Sequence, residues 1–255
     1  VSEPQLIGRA LTHWSGEGAW NMSVDEAILQ SVSARAERGE SCQAVLRFYS
    51  WNVPTLSLGY FQTYQAAIPR FADAAVVRRS TGGGAIVHDR ELTYSLTVAT
   101  PVGQRGARHD LYQGVHAVIV DVLKQFGVIA RPYRLDRQRT FAEDAFLCFQ
   151  RRTAEDLIVS GYKVVGSAQR RAKRAVLQHG SVLLRASGVA PELPGVTDLT
   201  SKPIDRSEFA DMMKLRIGQL LGVEYAGSEL NEAELAVTRR VQRDKYGSVD
   251  WLQRR

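Results

Sequence analysis

Three consecutive glycines, Gly82-Gly83-Gly84, stand between two segments that otherwise read as β-strands, Ala75-Val76-Val77-Arg78-Arg79 and Ala85-Ile86-Val87. Glycine in strand context weakens a sheet, so it marks a bulge or the close approach of a ligand or another backbone. The block is flanked by Arg78 and Arg79 on one side and by His88-Asp89 on the other. No Gly-Lys-Ser/Thr follows it, and it joins strand to strand rather than opening a helix, so it is not a phosphate loop. Nor are its glycines spaced as in the dinucleotide-binding signature. What remains is a bare main-chain surface beside Arg78, Arg79 and His88, on which an elongated, partly apolar or anionic ligand can lie. The residues alone leave a purely structural turn as open as a ligand site, and favour a merely hydrogen-bonded His88 over a catalytic one.

The surrounding pattern predicts an α+β fold with a mixed or antiparallel sheet and flanking helices, because strands run mostly consecutively and outnumber helices. A helix opens at Asn21-Met22-Ser23-Val24-Asp25-Glu26, with Asn21 or Ser23 as cap, acidic residues in the first turn and Gly39 past its end. Strands are expected at 44–51, 55–59 and 92–98, and a helix at 110–126, where Leu111, Val115, Val118, Val122 and Phe126 share one face. Leu157-Ile158-Val159 and Tyr162-Lys163-Val164-Val165 flank Ser160-Gly161 as a two-residue hairpin. A further strand run covers 175–184. After a Pro/Gly-rich bridge at 188–196, charged amphipathic helices are expected at about 206–221 and 231–246. Residues 1–200 thus read as a catalytic domain and 201–255 as a helical extension packed on it.

A chain of 255 residues, 44% hydrophobic and 24% charged, suits a water-soluble domain with a sizeable core. No apolar run approaches a membrane span and residues 1–14 lack a leader pattern, so a cytoplasmic protein is expected. Two cysteines, Cys42 and Cys148, are far from a disulfide framework. Neither they nor the histidines suggest a metal site. The net charge is +6, yet residues 131–185 hold twelve Lys/Arg against five Asp/Glu, a net of +7. That segment attracts an acidic partner or is simply a solvated face. A calculated pI near 9.5 also raises a nucleic-acid-binding protein, but no recognisable nucleic-acid module is present.

Two further residues carry chemistry. Lys163 lies in an apolar strand beside Gly161 and Gly166, where an ammonium either faces solvent or donates to a carbonyl, phosphate or oxyanion. Cys148 has apolar neighbours, which suit a small buried side chain. Arg151, Arg152 and Lys163 follow it, and cations favour a nucleophilic thiolate. Cys42 has no such neighbours and no role is assigned to it.

Four blocks in order resemble the biotin/lipoate A/B protein ligase family, in its branch of lipoate-protein ligases and octanoyltransferases. They are Asn21-Met22-Ser23-Val24-Asp25-Glu26-Ala27; Leu46-Arg47-Phe48-Tyr49-Ser50-Trp51 with Leu58-Gly59-Tyr60-Phe61-Gln62; the 78–89 block; and Lys163-Val164-Val165-Gly166-Ser167-Ala168-Gln169-Arg170. The resemblance implies a fold related to biotin ligases and class II aminoacyl-tRNA synthetases. It also implies an acyl tunnel lined by Gly82, Gly83, Gly84, Gly166, Ser167 and Ala168, with Arg78, Arg79 and His88 on the substrate. The Gly-Arg-Gly-Arg loop of biotin ligases has no match, which argues against biotin.

Within the branch, Cys148 sits where cysteine-dependent octanoyltransferases of the Gram-positive type place their nucleophile, with Lys163 holding the acyl carbonyl. Glu91-Leu92-Thr93-Tyr94-Ser95 and Lys245-Tyr246-Gly247 also resemble that group. The implied donor is octanoyl-acyl carrier protein. The implied acceptors are lipoyl domains, of the glycine-cleavage H protein or a 2-oxoacid dehydrogenase E2, and no cofactor is required. Arg170, Arg171, Lys173 and Arg174 are the implied docking cations. Gly84 departs from the cysteine enzymes and is more ligase-like, which keeps an ATP- and Mg-dependent lipoate ligase as an alternative. An amidotransferase moving octanoate between lipoyl domains would use the same acyl-cysteine.

Overall fold

The computed structural model describes residues 6–40, 44–67, 69–100, 107–135 and 145–254. Cys42 and the 136–144 part of the basic segment lie outside them. The chain runs β1 (Leu6–Gly16), α1 (Gly18–Glu37), β2 (Val45–Trp51), β3 (Thr55–Leu58), β4 (Ala75–Arg78), β5 (Ile86–His88), β6 (Glu91–Ala99) and α2 (Ala107–Gln125). There follow β7 (Arg131–Pro132), β8 (Leu157–Val159), β9 (Tyr162–Arg171), β10 (Ala175–Leu183), α3 (Val196–Thr200), α4 (Arg206–Leu221), β11 (Val223–Ser228), α5 (Glu232–Val241) and α6 (Val249–Leu252).

Eight strands form one sheet in the order β11-β1-β2-β6-β10-β9-β8-β7, and β4-β3-β5 form a second. The large sheet is mixed, since β1 pairs parallel with both β11 and β2 while its other pairs are antiparallel. Neither β1 nor β11 is among the expected strands. The C-terminal segment is therefore not purely helical, because β11 extends the main sheet.

Alternation sets the two faces of that sheet. Leu46, Phe48, Leu92, Tyr94, Leu96, Val165 and Val182 pack with Val115, Ile119, Val122 and Leu123 of α2 and Phe209, Met213 and Ile217 of α4. The opposite face receives α1 through Val24, Ile28 and Val32. Ser160 (φ 49°) and Gly161 (φ 81°) give the left-handed pair that a two-residue hairpin turn needs.

Helix α1 starts earlier than its sequence suggests. Glu17 is the N-cap and makes no side-chain cap bond, and the first turn holds no acidic residue. Asn21 lies inside the helix, donating to the Gly16 and Ser50 carbonyls and accepting from Arg47. Its polar atoms serve the β1–β2 junction, so the cap expected at Asn21 or Ser23 does not form. Asp25 faces the sheet, paired with Arg47 at 2.9 Å.

The C-terminal elements are tied to the body by charge. Arg9 on β1 donates to both carboxylate oxygens of Glu234, at 2.7 and 2.8 Å, and Glu234 also closes the capping box of α5 with Asn231. Among the described residues no helix is long and apolar enough to cross a membrane.

Candidate active site

Between the small sheet and the α1 face of the large sheet lies a cavity of about 290 Å³. Arg79, Gly82, Gly83, His88, Cys148, Asp156, Lys163, Gly166, Ser167, Ala168 and His179 contribute to its lining. The sequence-predicted residues Cys148 and Lys163 thus meet the glycine turn around one space.

Cys148 opens a single 3-10 turn, Cys148–Gln150. Its neighbours Leu147 and Phe149 are 3% and 2% exposed, anchored in the cluster around Leu56, Leu58, Val87 and Leu183. The apolar context therefore anchors the segment, while the thiol of Cys148 is half-buried and faces the cavity.

Gly84 explains how this turn comes close. Ala85 N–H donates to the Phe146 carbonyl at 3.0 Å and Cys148 N–H to the Ala85 carbonyl at 2.6 Å. A Cβ on Gly84 would lie 2.9 Å from Cys148 N and 3.0 Å from both Cys148 Cα and the Phe146 carbonyl oxygen. Gly84 does not line the cavity as expected. It is the contact that lets the cysteine segment lie against the glycine block.

Lys163 is buried at 4% exposure rather than solvent-facing. Its Nζ lies 2.9 Å from Asp156 Oδ2, 3.2 Å from the Cys148 carbonyl oxygen and 3.6 Å from Cys148 Sγ. Three donors thus have three directions. Only the sulfur, at the cavity wall, is replaceable by an incoming carbonyl. Asp156 is fixed by accepting from Thr153 N–H at 2.6 Å. A Cβ on Gly166 would come within 2.7 Å of Lys163 Cε and 3.0 Å of its Nζ, so glycine there keeps room for the lysine.

The paired arginines separate. Arg79 donates to the carbonyls of Ser57, Gly82 and Gly84 at 2.8, 2.8 and 2.7 Å, which fixes the turn. Its Nε is buried without a hydrogen-bond partner, and burial pushes the guanidinium down to about 10, still charged at neutral pH. Arg78 does not reach the cavity. It is fully buried and donates to the carbonyls of Gly59, Tyr60, Gln62, Trp251 and Leu252. It clamps α6 to the segment after β3, and its expected place on the substrate is corrected.

His88 is 2.7 Å from Glu91 Oε1 through Nδ1 and 2.8 Å from Ser57 Oγ through Nε2, with Trp51 stacked at 4.0 Å. Burial pushes it below its ordinary value despite Glu91, so neutral His88 donates to Glu91 and accepts from Ser57. Held in this way, His88 contributes to the lining of the cavity.

Sequence reasoning missed Asp156, His179 and Asp25. His179 approaches Asp25 Oδ2 at 3.4 Å through Nδ1 and Thr81 Oγ1 at 2.9 Å through Nε2. Burial works to raise the Asp25 carboxyl, but the His179 hydrogen bond and the Arg47 charge hold it below the usual carboxylate range. Asp156 was legible from pairing. Ile158 faces Lys163 across the hairpin, and Asp156 lies two residues before it. Ser167 lies opposite Gly180 on β10, with its hydroxyl 2.7 Å from both Tyr94 OH and His116 Nε2.

The expected docking cations sit at the β9–β10 turn. Arg170 donates to the Ser80 carbonyl at 2.8 Å, Lys173 pairs with Glu37 at 2.9 Å, Arg174 N–H bonds Ser33, and Arg171 is exposed. No group of three or more His, Cys, Asp or Glu side chains among the described residues is arranged to hold a metal ion.

Known proteins share both sequence and fold. Residues 17–205 match the family model of the lipoyl protein ligase A/B catalytic domain. An octanoyltransferase LipM of Kyrpidia tusciae is 32% identical, with 97% of this chain and 98% of that one covered. A LipM of Staphylococcus aureus is 30% identical, with 92% and 94% covered. Among solved structures, a chain of the bi-partite lipoate protein ligase system of Thermoplasma acidophilum aligns with TM-score 0.75 at 20% identity, covering 97% and 96%. A lipoate-protein ligase A bound with ATP gives 0.73 at 20% identity, covering 97% and 99%. The chain belongs to the lipoyl protein ligase A/B catalytic-domain family.

Proposed function

We propose that this protein is an octanoyltransferase of protein lipoylation. It moves an octanoyl group from acyl carrier protein to the lysine of a lipoyl domain through an acyl-cysteine on Cys148. The observation that carries the reading is Cys148 Sγ at 3.6 Å from Lys163 Nζ on the wall of one cavity. The full-length similarity to octanoyltransferases supports it.

In the first step the Cys148 thiolate attacks the thioester carbonyl. A carbon–sulfur bond to Cys148 forms, the bond to the carrier's arm breaks, and the arm thiolate takes up the proton that Cys148 released. In the second step the neutral amine of the acceptor lysine attacks the acyl-cysteine. The amide bond forms, Cys148 leaves as thiolate, and the amine proton balances it. Splitting the transfer replaces one difficult encounter by two easier ones. Thioester to amide is downhill, so neither step needs ATP. In both steps negative charge develops on the carbonyl oxygen, and Lys163 supplies a fixed donor whose removal typically costs ~10²–10³ in rate.

Gly82 and Gly83 present the chain with a wall free of side chains. Burying an eight-carbon chain contributes at most about 5 kcal/mol, at about 0.8 kcal/mol per methylene. That corresponds to affinity nearer millimolar than micromolar. Thus the chain alone does not give tight donor binding.

The test is transfer without nucleotide. Mixed with octanoyl-carrier protein and a lipoyl domain, the enzyme is expected to add octanoate to the domain, read as its intact mass, at the same rate with and without ATP. Modification that requires lipoate or octanoate plus ATP and Mg would identify a ligase instead.

A further inference from the structure

Beside the cavity, one surface combines an exposed aromatic ring with several cations. Phe61 is 66% exposed. A Cβ on Gly82 would lie 3.8 Å from its ring, so Phe61 covers the outer side of the glycine turn that walls the cavity. Tyr60 meets Phe61 edge-on at 4.9 Å and reaches Trp251 at 5.8 Å. The Arg254 guanidinium lies over both Tyr60 and Trp251, at 4.2 and 4.7 Å, and Lys245 lies 4.5 Å from the Trp251 ring. Arg170 joins from the other strand through the Ser80 carbonyl. Arg70 lies over Phe146, two residues before Cys148. Lys245 is paired with Glu26. Among the described residues, Arg70, Arg170 and Arg254 have no carboxylate within 4.0 Å.

We propose that this rim of Phe61, Arg254, Arg170 and Arg70 is the docking surface for the donor: an acidic carrier protein that presents octanoate as a thioester on a prosthetic arm. The inference rests on the acyl-transfer reading and adds where the donor protein sits. Aromatic and arginine side chains are the usual energetic anchors of protein interfaces, and opposite charge steers the encounter. An acceptor lysine is only four methylenes long, so its domain must stand directly over Cys148. A longer thioester arm lets the donor dock to one side, and Phe61 adjoins the glycine turn that walls the cavity. The weak affinity available from the acyl chain leaves the rest of donor recognition to such a surface. Within the β9–β10 turn, Lys173 is already paired with Glu37 of α1.

The experiment compares two donors on Phe61→Ala and Arg254→Glu: octanoyl-carrier protein, and octanoyl-pantetheine, which has the thioester without the protein. Single-turnover acylation of Cys148 and transfer from pre-acylated enzyme to a lipoyl domain are measured separately. Each variant is expected to raise the carrier concentration needed for half-maximal acylation about tenfold or more. Acylation by octanoyl-pantetheine and transfer to the lipoyl domain stay at the wild-type level. Equal losses with both donors, no loss with the carrier, or a loss confined to the lipoyl-domain step would each overturn the assignment. Wild-type enzyme that takes no octanoyl group from either donor contradicts the acyl-transfer reading itself.

Discussion

A buried ammonium is costly unless its protons are placed, and Lys163 places two of them on Asp156 and the Cys148 carbonyl. Lys163→Met is therefore expected to slow both acylation of Cys148 and transfer to the acceptor by ~10²–10³, measured as single-turnover rates. A loss in one half-reaction alone would show that Lys163 does not serve the carbonyl in both. Glycine substitutions test placement rather than chemistry. Gly166→Ala puts a methyl 2.7 Å from Lys163 Cε and Gly84→Ala puts one 2.9 Å from Cys148 N. Each should lower the acylation rate about 10²-fold, since shifts of about 1 Å at reacting groups have that effect. Thiol-alkylation of Cys148 should persist in Gly166→Ala, because only the lysine is displaced. At this scale the sequence pointed to Cys148 and Lys163, the pair proposed to react, but not to the groups that hold them. Cys148 and Lys163 were visible through their neighbours, whereas Gly84 looked like tunnel wall because the approach of residues 146–148 is a tertiary event. Arg78 ends β4 and Arg79 follows it, so the two are adjacent in sequence yet serve different partners, and only the folded position separates clamp from loop support.

Elements carry the next level of the account. The small sheet holds β4 and β5 on either side of β3, so the glycine block is a crossing over the end of β3 rather than a hairpin between its own flanking strands. Gly59 shows how tight that crossing is, because a Cβ there would lie 1.9 Å from the Gly83 carbonyl oxygen. Arg78 then ties the C-terminal α6 to the same place, and Trp251 Nε1 returns a bond to the Arg78 carbonyl at 2.8 Å. Arg78→Met leaves five carbonyls without this donor and is expected to destabilise the protein by about 2–4 kcal/mol. Urea unfolding measures this, and an unchanged midpoint would contradict the clamp. Helix α2, the β8–β9 hairpin and α4 were legible because periodicity and turn chemistry are local. Strand β1 and strand β11 were not, since Leu11-Thr12-His13-Trp14 and Val223-Glu224-Tyr225 alternate weakly and owe their conformation to parallel pairing with distant partners.

Across the whole molecule, a polar network runs behind the cavity between the large sheet and α2. His116 Nδ1 is 2.6 Å from the Glu155 carbonyl oxygen and its Nε2 2.7 Å from Ser167 Oγ. Burial pushes His116 down to about 4. The unfolded chain takes up a proton near 6.5 and the folded protein only near 4. Between these values the unfolded state binds more protons, and stability falls as pH falls. Below about 4 both states are protonated and the loss levels off, on the order of 3 kcal/mol in total. Urea midpoints from pH 7 to pH 4.5 should fall for the wild type and fall less steeply for His116→Gln; equal slopes would remove His116 as a cause. The α+β class was readable from the run of consecutive strands, and the family from four ordered blocks, each local. The charge excess was readable as a segment, but which cations gather beside Tyr60 depended on how the C-terminal residues fold back onto it.

The central claim is that Cys148 carries the octanoyl group. Incubation with octanoyl-carrier protein in the absence of ATP, followed by intact-mass analysis and peptide mapping, tests it directly. The account predicts one octanoyl adduct on Cys148, absent in Cys148→Ser and discharged when a lipoyl domain is added. An enzyme that modifies the lipoyl domain while Cys148 never carries the acyl group, or that forms an acyl-adenylate instead, would contradict it.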